Sequence, residues 1–207
     1  MYNNLIYTNG CSFTEGDYYD YRTECWPWRL NVRGFDILND AMGGGSNHRI
    51  MRTSMDTVTR MHGRIQLAII QWTDPGRSEK PGGDNYERVL RDTVSDTVTF
   101  INWIDQINTL DRFFTSMSIP VFFFNAFTNI ESYDIQDDID RERIQKQIKT
   151  IDTSKWIIPP DTTLCEWIND GSRAVFMPDG HLLAKENLTV ATKIKEHVFG
   201  SIRDYVN

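Results

Sequence analysis

Cysteine is scarce in this chain. Cys11, Cys25 and Cys165 are the three among 207 residues, and they form no CxxC pair. No His/Cys spacing of a zinc site accompanies them. That excludes a disulfide framework or a thiolate metal centre as the basis of the fold. An odd count without a secretory signal fits a reducing compartment. Residues 1–10 have neither the basic start nor the long apolar stretch of such a signal. Positive charge is also short: 22 Lys and Arg stand against 29 Asp and Glu, for a formal charge of −7. The Arg residues are scattered rather than massed, which argues against a nucleic-acid footprint. No apolar run is long. The longest, around residues 121–124, is far too short to cross a bilayer. Internal repeats and low-complexity tracts are absent as well. The expectation is a soluble, cytoplasmic protein, in a host cytoplasm if the source is viral, with no nucleic-acid or membrane partner.

What is present is ordinary for a globular chain, with 40% hydrophobic and 25% charged residues. Residues 1–207 read as a single domain, in which 131–176 is either an insertion or lid or plain surface decoration. Residues 4–8, 34–38, 65–72 and 119–125 are short apolar runs ended by turn residues, and read as buried strands. Helical spacing recurs from Ser46 and Asn47 to about Met61, from Tyr86 to Met117, and from Ala184 to Val206. Residues 77–85 read as a polar loop, 134–149 as a charged surface helix, and 150–176 as irregular with a short extended piece at 174–177. Buried strands alternating with helices predict an α/β, three-layer α/β/α fold around a central, mostly parallel sheet. Such sheets place their sites at the carboxyl ends of the strands. That selects the loops carrying Ser12, the glycine triplet, Thr73-Asp74 and Asn125.

Three short stretches carry chemistry. Asn9-Gly10-Cys11-Ser12-Phe13-Thr14 directly follows the first strand. A serine on a strand-to-helix turn can project its Oγ into a cleft, with neighbouring backbone N–H groups available to an oxyanion. Taken alone, it also fits an N-cap in an ordinary turn. Met42-Gly43-Gly44-Gly45-Ser46-Asn47 exposes backbone N–H groups at the positive end of a helix, which suits an oxyanion or a phosphate. No Lys follows at the P-loop position, and a turn capped by Ser46 explains the stretch equally well. Met177-Pro178-Asp179-Gly180-His181-Leu182 precedes the last helix. A His in a loop, with an acid two residues before, can act as a general base; a solvated Asp-Gly turn is the plain alternative. His48 adjoins the glycine loop and could touch the same site. His62 and His197 fall in helical segments and read as surface or capping residues. Residues 134–143 read as a solvated face rather than a metal cage. The aromatic stretch 17–28 fits a cleft lining and a core or rim equally.

In order and placement these pieces resemble the SGNH/GDSL hydrolases. Gly10-Cys11-Ser12-Phe13 is similar to the first block of that family, with Cys11 where Asp is usual. Asn39 followed by Gly44 is similar to the second block, and Asp179 with His181 stands where the last block falls. The resemblance runs over nearly the whole chain. It implies a flavodoxin-like SGNH fold and acyl transfer to water, with Ser12 as nucleophile, His181 as base and Asp179 orienting the imidazole. It further implies that the N–H groups of Ser12 and Gly44 hold the oxyanion; Gly45 and His48, by their place in and beside the glycine loop, are candidate oxyanion or substrate-binding residues. No metal and no organic cofactor is implied. The implied substrate is a small-molecule or carbohydrate ester, with acetyl as the expected acyl group.

Two departures stand out. The third block reads Gln71-Trp72-Thr73-Asp74-Pro75 where the family has Gly-x-Asn-Asp. An ionised Asp74 cannot donate to an oxyanion, so the Thr73 hydroxyl or Asn125 from the next strand would replace the missing donor. The acid also precedes His181 by two residues instead of three, with Pro178 at the expected position. Asp170 or a backbone carbonyl is the alternative orienting group. Besides an esterase, two other classes stay open. One is a catalytically degraded SGNH domain serving as a glycan- or protein-binding module. The other is a nucleotide-binding protein, disfavoured because no acidic ribose-binding residue follows a suitable second strand. The separation of Ser12 from His181 discriminates the first two.

Overall fold

The computed structural model describes residues 4–16, 22–80, 87–90, 96–127, 138–160, 162–168 and 181–200. In chain order its elements are β1 (Asn4–Asn9), α1 (Ser12–Glu15), α2 (Trp26–Arg29), β2 (Phe35–Asn39), α3 (Asn47–Arg60), β3 (Ile65–Trp72), β4 (Arg77–Lys80), β5 (Glu87–Leu90), α4 (Asp96–Ser116), β6 (Val121–Asn125), α5 (Asp138–Ile148), α6 (Leu164–Ile168) and α7 (Ala184–Gly200). Short 3-10 turns lie at Arg22–Glu24 and Thr153–Lys155.

Four strands form a parallel sheet in the order β2-β1-β3-β6. Alternation along the strands sends side chains to two cores. Leu5, Tyr7, Ala68, Ile70, Trp72, Val121 and Phe123 pack with α3, α4 and α5 on one face. Ile6, Leu67, Ile69 and Phe124 pack with α2, α6 and α7 on the other. The result is the expected three-layer α/β/α arrangement. One irregularity has a local cause. The β1–β3 register shifts between Leu5↔Ile65 and Ile6↔Leu67. Gln66 is therefore an extra residue, and Ile65 and Leu67 face opposite cores although they are two apart.

The chain leaves β1 towards β2 on one side and returns to β3 on the other. Adjacent loops therefore diverge at the carboxyl ends of β1 and β3, the place where doubly wound sheets hold ligands. The loops after β1, β2 and β3 all open there.

The structure departs from the predicted elements at residues 77–90 and within 150–176, where the expected irregular stretch holds α6 (Leu164–Ile168). Residues 77–80 of the expected loop and 87–90 of the expected helix form β4 and β5, which pair antiparallel, and the described helix α4 spans Asp96–Ser116. Pro81-Gly82-Gly83-Asp84-Asn85 is turn chemistry between two short runs, and it competes with the helical spacing of Val89 and Leu90. The extended piece expected at 174–177 lies outside the described residues. Within 131–176, Ile144, Ile151 and Trp156 enter one core, and Ile157, Ile158, Leu164 and Ile168 enter the other. Trp156 also bridges to Phe123 beside β6. Of the aromatic stretch, Trp26 is fully buried against Phe124, and Trp28 is 39% exposed. Among the described residues no helix is long and apolar enough to cross a membrane.

Cys25 ties α2 to α1. Its Sγ donates to the carbonyls of Phe13 (3.3 Å) and Thr14 (3.4 Å). Burial pushes its thiol pKa well above the usual range. Iodoacetamide is therefore expected to leave Cys25 unmodified in the native protein and to alkylate it in denaturant, as peptide mass spectrometry would resolve. Native-state labelling at a rate close to the denatured one would contradict this packing.

Candidate active site

The site begins with a turn that the end of β1 holds rigidly. Asn9 is fully buried. Its Nδ2 donates to Thr53 Oγ1 (2.8 Å), Tyr7 Oη (2.9 Å) and Ser54 Oγ (3.0 Å) on and under α3, and its Oδ1 accepts from Gly10 N–H (2.8 Å). The next residue must lack a side chain. A Cβ on Gly10 would stand 2.6 Å from Thr14 Oγ1 and 2.8 Å from Gln71 Oε1. Cys11 then takes extended backbone as N-cap, and Ser12 opens α1 half-buried. Gln71 props this turn from β3, its Oε1 accepting from Thr14 Oγ1 (2.7 Å) and from Cys11 N–H (3.4 Å).

The glycine loop packs beside the serine. A Cβ on Gly43 would lie 3.8 Å from Ser12 Cβ. Asn39 donates to the Thr14 carbonyl (2.8 Å), Met42 N–H to the Gly10 carbonyl (3.2 Å), and Gly43 N–H to the Glu15 carboxylate. Gly45 N–H closes a turn on the Met42 carbonyl (2.9 Å). Gly44 adopts φ +71°, a conformation a side chain would strain. Among the described residues, the N–H groups of Ser12 and Gly44 donate no hydrogen bond. Ser46 caps α3 by accepting from Arg49 N–H (3.1 Å). Asn47 joins the glycine loop to the end of β3, donating to the Thr73 carbonyl (2.9 Å) and accepting from Thr73 N–H (2.8 Å).

His181 arrives from the far end of the chain, just ahead of α7 and next to the fully buried Leu182. Its Nε2 lies 2.9 Å from Ser12 Oγ. Its ring is 5.4 Å from that of Phe13. Asp179, Pro178 and Asp170 lie outside the described residues.

The other expected residues distribute unevenly. Gly44 and Gly45 sit in the loop beside Ser12. Thr73 is buried, and its Oγ1 has no partner among the described residues. Asn125 ends β6 opposite Trp72, its Nδ2 donating to the Pro160 carbonyl (3.3 Å). Asp74 is exposed, its carboxylate accepting from Gly76 N–H (2.7 Å) in its own loop. His48 lies exposed on the first turn of α3. The sequence names Asn9, Gln71 and Asn47 within its motifs, but their supporting roles appear only in the structure. Gln71 carries a signal of its own, as a polar residue inside an otherwise apolar run. Among the described residues no group of three or more His, Cys, Asp or Glu is arranged to hold a metal.

No protein-family profile matches the chain, and no curated protein matches it in sequence. Solved structures match it in fold. The psychrotrophic esterase EstA from Pseudoalteromonas sp. superimposes with a TM-score of 0.60 at 8% identity, over 97% of this chain and 100% of that one. A member of the lipolytic G-D-S-L family from Veillonella parvula gives 0.56 at 15% identity, over 93% and 96%. The acetyl xylan esterase AlAXEase gives 0.58 at 13% identity, over 94% and 99%. The chain has the α/β fold of the SGNH and G-D-S-L hydrolases.

The close approach at Gly10 yields a stability test. Gly10→Ala forces Gln71 and Thr14 to give way in a packed turn, at a cost of about 1–3 kcal/mol. A urea midpoint lowered accordingly, with an unchanged transition slope, is the expected result. An unchanged midpoint would refute the packing.

Proposed function

We propose that the chain is an SGNH-type serine esterase in which Ser12 is the nucleophile and His181 its general base. The observation that carries this reading is the 2.9 Å contact between Ser12 Oγ and His181 Nε2. That is the distance at which an imidazole can take the hydroxyl proton. Ser12 attacks the ester carbonyl, and its proton passes to Nε2. The tetrahedral oxyanion is held by the N–H groups of Ser12 and Gly44, each contributing about 3 kcal/mol to lowering the barrier. The buried Thr73 hydroxyl, without a partner among the described residues, is a third donor in place of the side-chain amide expected there. The imidazolium returns its proton to the leaving alcohol, and water then releases the acyl group by the same steps in reverse. Asp179, close ahead of His181 in sequence, is the proposed acid that orients the ring. Glu15 and Asn47 serve the reaction indirectly by holding the glycine loop. An acetyl ester of a carbohydrate is the proposed substrate class. The support is the likeness in fold to an acetyl xylan esterase and to a two-domain esterase active on acetylated mannans.

A fluorophosphonate probe tests the reading without a known substrate. An adduct is expected on Ser12 of the native protein and is expected to vanish in His181→Ala. With para-nitrophenyl acetate, Ser12→Ala and His181→Ala should each lower kcat by a factor on the order of 10⁴. His48→Ala should change it far less. Absence of an adduct on folded protein would sink the esterase reading and favour a binding module built on the same fold.

A further inference from the structure

A file of contacts leads away from the proposed base. Phe13 follows Ser12 directly, and its ring meets that of Phe127 edge-on at 4.8 Å. Phe127 is 37% exposed. Over its ring, 5.0 Å from the centre, lies the guanidinium carbon of Arg77, the first residue of β4. His181, Phe13, Phe127 and Arg77 thus stand in sequence from imidazole to guanidinium.

Among the described residues no acid forms an ion pair with Arg77. Its Nη1 is buried and has no hydrogen-bond partner among the described residues. Asp74, three residues earlier, commits its carboxylate to Gly76 N–H. The chain carries a formal charge of −7, so acids are plentiful, yet none is set against this guanidinium among the described residues. Stacking on an aromatic ring engages the face of the guanidinium and leaves its in-plane N–H donors free. Those donors match the paired oxygens of a carboxylate, sulfate or phosphate. Nη1 is closed off from a ligand, but the guanidinium as a whole is only half-buried, and its remaining donors are the ones a ligand's oxyanion would meet.

We propose that Arg77, backed by Phe127, is an anion subsite, and that the ester cleaved at Ser12 carries a negatively charged group close to the scissile bond. An acetylated acidic saccharide is such an ester. The inference rests on the esterase reading above, and its test separates the two. Two matched pairs serve as probes. Meta-acetoxybenzoate and its methyl ester vary the charge on the alcohol side. Mono-para-nitrophenyl glutarate and para-nitrophenyl pentanoate vary it on the acyl side. Meta-acetoxybenzenesulfonate extends the first pair to a sulfonate. Comparing native protein with Arg77→Gln on each ester cancels intrinsic reactivity. In at least one pair the charged ester should lose about 10-fold or more in kcat/KM, mainly through KM, while the neutral one stays within about 2-fold. Arg77→Lys should restore part of the loss. The affected pair identifies the side of the ester bond that bears the charge. Equal effects on charged and neutral esters in both pairs would overturn the proposal. Calorimetric titration of the same charged probes into Ser12→Ala, with and without Arg77→Gln, needs no turnover. Charge-selective binding lost with Arg77 supports the subsite even where no ester is cleaved, and in that case the esterase reading alone fails. No charge-selective binding of any probe overturns the subsite.

Discussion

Everything at the site depends on how tightly the chain turns at the end of β1. Gly10 lies against the Gln71 side chain with no room for a Cβ, and Asn9 fixes the turn from below through the polar groups of Tyr7, Thr53 and Ser54. This pressure between β1 and β3 decides where Ser12 emerges. A larger residue at 10 would push α1 off the sheet, and the serine would leave the His181 imidazole and the glycine loop together.

The polar network under the turn is unusually complete for so buried a place. Tyr7 Oη accepts from Asn9 Nδ2 (2.9 Å) and lies 3.2 Å from both Asp40 Oδ2 and Ser54 Oγ, one of which takes its single proton. Burial and the nearby Asp40 carboxylate push its pKa far above the ordinary phenol value, so it stays a neutral donor. Asp40 in turn accepts from Thr57, and Arg49 donates to the Asp40 carbonyl (3.0 Å). The β2 loop is therefore held at both ends: Asp40 binds it to α3, and Asn39 and Met42 bind it to the nucleophile turn. Rigid support of this kind is what an oxyanion site requires, because donors that need no reorganisation stabilise charge best.

Much of this was legible before the fold was known. The apolar runs at 65–72 and 119–125 read as buried strands, Ser46 and Asn47 both read as helix caps, of which Ser46 is the cap, and a serine straight after the first strand was placed at the sheet's carboxyl edge. The antiparallel pair of β4 and β5 was not legible. Val89 and Leu90 fit a helical and an extended pattern alike over so short a run, and Pro81-Gly82-Gly83 decides only that the chain turns. Gln71 was recognised as a departure from a motif, but its role was hidden. A buried polar residue shows its purpose only when its partners, here on the turn after β1, come from another strand.

Sequence by itself determined the periodicities, the caps and the turn glycines, since those follow from interactions reaching a few residues along the chain. It also determined the residue types from which a nucleophile and a base could be drawn. Tertiary structure alone decided that Ser12 and His181, 169 positions apart, stand within hydrogen-bond distance, that Asn47 clamps Thr73, and that Arg77 lies over Phe127. Those separations are set by strand register, by the packing of α7 against the sheet and by the place of β4 beside α3. None of these is encoded in any local window of the chain.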